Sequence, residues 1–137
     1  MLRPGERSGF DIIQTDAPQS VYSYALSAFY EQAESKPALL SLSIGYNSMD
    51  EIGTYHLVGE VTNRGNNGTT YVEVSGEFFD ANHKIIDVAD TFTTPSDLQP
   101  SQTAPFDLTV SSPNAKYILF GSLNVQSNDY SLMNNGQ

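Results

Sequence analysis

Tyr55-His56-Leu57-Val58-Gly59-Glu60-Val61-Thr62-Asn63 runs into Arg64-Gly65-Asn66-Asn67-Gly68 and then, from Thr70, into Thr70-Tyr71-Val72-Glu73-Val74-Ser75-Gly76-Glu77-Phe78-Phe79. In the first run Tyr55, Leu57, Gly59 and Val61 alternate with His56, Val58, Glu60 and Thr62. In the second, Val72, Val74 and Phe78 oppose Tyr71, Glu73, Ser75 and Glu77. A period of two is the signature of a half-buried strand, because successive side chains leave a strand on opposite faces. The residues between the runs tolerate positive φ, so the chain is expected to reverse there as a hairpin.

The same period extends outward in both directions. Leu39 to Tyr46 places Leu40, Leu42 and Ile44 on one side, and Lys84 to Thr93 reads as a strand after the turn Asp80-Ala81-Asn82-His83. Thr103 to Val110 puts Phe106, Leu108 and Val110 on one face, and Lys116 to Gln126 offers Tyr117, Leu119, Leu123 and Val125. The two prolines of Thr94 to Ser101 cannot donate to a ladder, so that stretch is a loop. Six strands after residue 38 and no convincing helix predict an all-β chain, with two antiparallel sheets packed face to face in the immunoglobulin-like class. A closed barrel is the alternative, since strand number alone does not decide closure.

The N-terminal third reads differently. Ser8 to Thr15 and Val21 to Phe29 look like two strands around the turn Asp16-Ala17-Pro18-Gln19-Ser20. Leu2 to Ile12 echoes Leu98 to Leu108 through the shared frame Leu-x-Pro-x-x-x-x-x-Phe-Asp-(Ile/Leu), which suggests the end of a preceding repeat. Two strands cannot bury their own faces. Residues 1–30 are therefore expected to be the C-terminal strands of a preceding module, or strands added to this sheet or donated to another copy. Residues 31–37 are the expected connector, 38–130 the sandwich and 131–137 a flexible tail.

Composition narrows the function. The 137 residues carry 16 acidic and 6 basic side chains, a formal charge of −10, which repels phosphate backbones and anionic lipid alike. Nucleic acid is thus not an expected partner. No run approaches the roughly 20 apolar residues of a membrane helix. The absence of cysteine excludes disulfide and thiol chemistry without choosing a redox compartment. A composition of 16 Ser, 10 Thr and 10 Asn against 3 Lys resembles that of exported, cell-surface β proteins.

From Tyr55 onward, Gly59-Glu60-Val61-x-Asn63, Tyr71-Val72-x-Val74, Phe78-Phe79-Asp80-Ala81-Asn82, Leu98-x-Pro100 and Phe106 resemble the FxLYD-type domains. These are immunoglobulin-like modules that occur, often in tandem, in exported archaeal and bacterial proteins. The resemblance covers residues 38–130. Phe78-Phe79-Asp80 stands where the family name implies Leu-Tyr-Asp, and Gly76 takes the place of the leading Phe. The family supplies no catalytic residues, so the resemblance implies a structural or binding module.

The candidate chemistry is sparse. Asp80, Asp87 and Asp90 could gather oxygen around calcium, although solvated acids on a strand account for the same letters. Asp80 also has a local role as an acceptor in its turn. His56 and His83 are the only imidazoles, and two histidines without cysteine leave a transition-metal site incomplete unless carboxylates join them. No nucleophile-elbow spacing surrounds any serine. Gly65 to Gly68 lacks the Lys-Ser/Thr of a phosphate loop. Asn67-Gly68-Thr69 is a formal N-glycosylation acceptor. Tyr22, Tyr24, Phe29 and Tyr30 concentrate aromatic surface before the sandwich, either as a contact strip or as core.

The expectation is a non-catalytic module without cofactors, extracellular or on the cell surface. It would contact a protein, an envelope polymer or further copies of itself, with head-to-tail strand exchange as one mode. The alternative is a module that binds calcium or carbohydrate through its acidic turns.

Overall fold

The computed structural model describes residues 9–12, 23–31 and 34–133. Seven strands form: β1 (Ala38–Met49), β2 (Tyr55–Asn63), β3 (Glu73–Phe79), β4 (Ile85–Phe92), β5 (Thr103–Val110), β6 (Phe120–Gln126) and β7 (Ser131–Leu132). Apart from one 3-10 turn at Ala115–Tyr117, the described residues contain no helix, and none long enough to cross a membrane. The all-β class read from the alternation holds.

The strands make one mixed sheet in the order β4-β3-β6-β7-β1-β2-β5, curled almost into a barrel. β2 pairs antiparallel with β1 and β5, and β3 pairs antiparallel with β4 and β6. These two three-stranded groups are joined through β7, which runs parallel to β1 and antiparallel to β6. At the opposite side of the curl the Thr94 amide just past β4 donates to the Pro105 carbonyl of β5 at 2.9 Å.

The core lies between the groups and is made by the predicted alternation. Leu57 and Val61 from β2, Val74 and Phe78 from β3, Ala104, Phe106, Leu108 and Val110 from β5, and Val125 from β6 are all buried. Each fully buried apolar side chain of this size contributes about 1.5–3 kcal/mol of transfer free energy. Packing is tight at Gly76, where an added Cβ would sit 2.8 Å from Leu108 Cδ2 and 2.9 Å from Leu123 Cδ2, so both leucine tips would have to shift to admit it.

Several expectations change. Residues 63–68 are not a hairpin: β2 and β3 belong to different groups, and the segment is an arch that carries the chain between them. The arch is held from inside, where the buried Asn63 amide donates to the carbonyls of Asn67 at 2.8 Å and Leu98 at 3.1 Å. Asn63 Oδ1 accepts the Gly65 amide at 2.8 Å. Local turn composition cannot tell a hairpin from an arch, because both need the same permissive residues. Tyr117 and Leu119 are exposed rather than inward, since the 3-10 turn displaces the strand start to Phe120 and buries Ala115 instead.

Ser131 and Leu132, expected in a fraying tail, form β7, because the Ser131 amide donates to Pro37 O at 3.0 Å and the Met133 amide to Leu40 O at 2.7 Å. Residues 134–137 of that tail lie outside the described residues. The two N-terminal strands are not seen in their described parts: residues 9–12 and 23–29 join no ladder. Within the echo, Phe106 is 3% exposed and its counterpart Phe10 67%. The remaining residues of both expected strands lie outside the described ones.

Candidate functional site

β1 is the strand with an unfilled side. Its first rungs carry β7, through Ala38 with Ser131 and Leu40 with Leu132, and β7 is only two residues long. Among the described residues, nothing pairs with β1 on that side beyond Leu40. The Leu40 carbonyl points there, so by alternation the backbone groups of Leu42 and Ile44 face the same open side.

The register with β2 places Ile44 and Met49 on the core-side face, opposite Gly59 and Tyr55, and Tyr46 on the outer face, opposite Val58. All three are well exposed, at 58%, 42% and 61%. The core-side face of β1 thus runs past the end of the packed interior. A bulge at Gly45, between the Ile44 and Tyr46 pairings, interrupts its ladder with β2. Where β7 stops, a groove of about 460 Å³ opens beside β1, lined by Ser41, Leu42, Ser43, Thr62, Arg64 and Met133. Arg64 Nε donates to Ser41 Oγ at 3.1 Å, which lays the guanidinium along the groove wall.

At the far end of β1 stands the only histidine cluster seen among the described residues. His56 Nδ1 lies 2.9 Å and 3.1 Å from Oδ2 and Oδ1 of Asp107 on β5, and its Nε2 lies 3.6 Å from Asp50 Oδ2 in the β1–β2 turn. The hydrogen bond to Asp107 favours the imidazolium and raises His56 above its ordinary 6.5. Asp50 is held below the usual carboxylate value, first by the Thr54 amide that its Oδ1 accepts at 2.8 Å. Alternation alone did not point to Asp50 and Asp107 as partners of His56. The β2–β5 register, which opposes His56 to Thr109 and Val58 to Asp107, is the signal that brings Asp107 within reach.

The predicted calcium set does not assemble. Asp80 caps its own turn, with Oδ1 accepting the amides of Asn82 at 2.8 Å and Lys84 at 2.9 Å. Asp87 accepts the Val88 amide. Asp87 and Asp90 pair with Phe78 and Ser75, and three residues apart on a regular strand means opposite faces. His83 sits in the β3–β4 turn, away from the β2 of His56. Among the described residues no group of three His, Cys, Asp or Glu side chains is arranged to hold a metal. Asn67 is exposed on the arch, but Thr69 of the same tripeptide is 2% exposed. The Thr69 hydroxyl bonds Ser127 Oγ at 2.6 Å and Asp129 Oδ2 at 3.0 Å. Only the unfolded chain therefore presents the whole acceptor.

No protein-family model, no curated protein and no solved structure matches this chain.

Proposed function

We propose that this chain is a non-catalytic, immunoglobulin-like module of the FxLYD type that works outside the cell or on the cell envelope, through contact with a protein or an envelope polymer. The observation that carries this reading is the bare side of β1, where an unpaired backbone edge and the exposed Ile44, Tyr46 and Met49 coincide. An edge of that kind is a template for another extended chain. The Ser-, Thr- and Asn-rich composition supports the location.

Two measurements test it. Proteinase treatment of intact cells of the native source, followed by immunoblotting, should remove the protein, and full protection inside intact cells that is lost on lysis would refute the location. Ile44→Lys and Tyr46→Lys, both at exposed positions, should leave the melting temperature unchanged and weaken retention on the purified envelope. Retention equal to that of the unaltered protein would remove β1 as the contact surface.

A further inference from the structure

We propose that the bare side of β1 is filled by Ser23–Tyr30 of a second copy of this chain, which adds as a strand antiparallel to Leu42–Met49. This deepens the reading above and rests on it. The structure leaves two unsatisfied features of equal length. One is the edge Leu42–Met49, which has no neighbour on its β7 side among the described residues. The other is Ser23–Tyr30, which joins no ladder and holds Tyr24, Leu26, Phe29 and Tyr30 between 60% and 96% exposed.

Each has what the other lacks. Tyr24, Leu26, Ala28 and Tyr30 alternate with Ser23, Ala25, Ser27 and Phe29, the period of a strand with one apolar face. Laid beside β1, that face covers Ile44 and Met49, where the core-side surface now opens to water.

The distribution of charge selects the same pair of segments. In a chain of net charge −10, no charged side chain falls between Asp16 and Glu31, between Lys36 and Asp50, or between Lys116 and Asp129. Those runs contain the free segment, β1 and β6, the strand on the far side of β7. Exposed edges are ordinarily guarded by lysine, proline or an inward charge, and from Leu42 to Met49 β1 has none of these, only its bulge. Charge also sets the direction. With the donated strand antiparallel, Tyr30 lies beside Leu42, and Glu31 of the donor then follows into the groove at Arg64. The reverse direction would place Glu31 beyond Met49, next to Asp50 and Glu51.

A second copy is favoured over the same chain by the way β1 is entered. Lys36 Nζ donates to Ser127 O, Ser131 Oγ to Lys36 O at 3.1 Å, and the Ser131 amide to Pro37 O. These bonds fix the start of β1 against β7, so the chain's own segment would have to cross β7 to reach the edge beyond it. Donation copy to copy meets no such obstacle, and because donor and acceptor are different surfaces it propagates head to tail.

The test uses the full chain. Sedimentation velocity over a concentration series should show assembly beyond the monomer, and amide exchange should slow in both 23–30 and 42–49 as assembly proceeds. Ala28→Pro removes the amide that faces Ile44 in this pairing, from an exposed segment and without touching the core, and should raise the dissociation constant about tenfold or more. Its unchanged melting temperature would show that the fold is intact. The chain lacks cysteine, so mixing an Ala25→Cys variant with a Ser48→Cys variant, which the bulge at Gly45 brings opposite each other on the outer face, should give a crosslinked heterodimer under oxidising conditions. A monomer at every concentration would overturn the proposal, as would assembly indifferent to Ala28→Pro, or a mixture of the two cysteine variants that gives no crosslinked heterodimer. None of these outcomes would disturb the envelope-binding reading, which the retention of the Ile44 and Tyr46 variants decides.

Discussion

Replacing Asn63 by alanine isolates what holds the arch between the two strand groups. The side chain is fully buried and makes three hydrogen bonds, donating to Asn67 O and Leu98 O and accepting from the Gly65 amide. The three losses are unequal. Asn67 is exposed and its carbonyl can turn to water, and Leu98 O keeps the Thr69 amide at 2.9 Å. The Gly65 amide is buried and loses its partner outright, which costs about 1–3 kcal/mol, and the cavity left by the amide group adds to that. The expected destabilisation is about 2–4 kcal/mol, or a fall in melting temperature on the order of 10–15 °C for a domain of this size. Urea unfolding followed by far-ultraviolet circular dichroism measures it directly.

Asn63→Asp sharpens the comparison. It restores the acceptor for Gly65 but turns a buried carboxylate toward two carbonyl oxygens, so at neutral pH it should destabilise at least as much as alanine. The gap should narrow under acid, as protonation supplies a donor. An Asn63→Ala protein within about 0.5 kcal/mol of the parent, the ordinary range of a surface substitution, would refute the role given to this side chain.

Three further outcomes follow from the same geometry. Gly59→Ala drives a Cβ to 2.4 Å from the Ser43 carbonyl oxygen and 2.7 Å from Phe106 Cζ, so it should cost about 3 kcal/mol in denaturant unfolding, and a neutral result would mean that β1 and β2 part more easily than their register implies. His56 has a raised folded pKa, so its pairing stabilises fully below the ordinary 6.5 and is lost as pH rises through the folded value. The stability difference between parent and His56→Ala should accordingly shrink from pH 6 to pH 9, and a constant difference would remove the imidazolium from the account. Asp80→Ala loses two accepted amides at an exposed turn and should cost about 1 kcal/mol, with the same melting temperature in calcium and in chelator.

Much of this architecture could be read from alternation alone. Thr103–Val110 is bounded where the period predicts, and Leu40, Leu57, Val61, Val74, Phe78, Leu108 and Val125 face inward as expected. Pairing was not legible, because it is decided by partners far along the chain. Asn63-Arg64-Gly65-Asn66-Asn67-Gly68 has turn chemistry whichever strand comes next. Only the burial of Asn63 and the fit of Gly65 against Tyr130, whose ring would stand 2.7 Å from an added Cβ, reveal an arch. β7 escaped notice for the same reason: a strand of two residues has no period, and it exists through the carbonyls of Pro37 and Leu40. The candidate site was half visible. His56 could be seen on the outer face of its strand, but Asp50 and Asp107 reach it from a turn and from β5, and the bareness of β1 is a property of what lies beside it.

The parallel joint between β1 and β7 has a mechanical meaning. The chain enters β1 at Ala38 and leaves β7 at Leu132, and the two strands point the same way. Tension between the entering and leaving chain therefore drags β1 and β7 past each other lengthwise, and the bonds at Pro37 and Leu40 share the load instead of parting in turn. Antiparallel terminal strands, pulled the same way, would unzip rung by rung. Pulled from both ends, the described domain would resist stretching first at this short clasp.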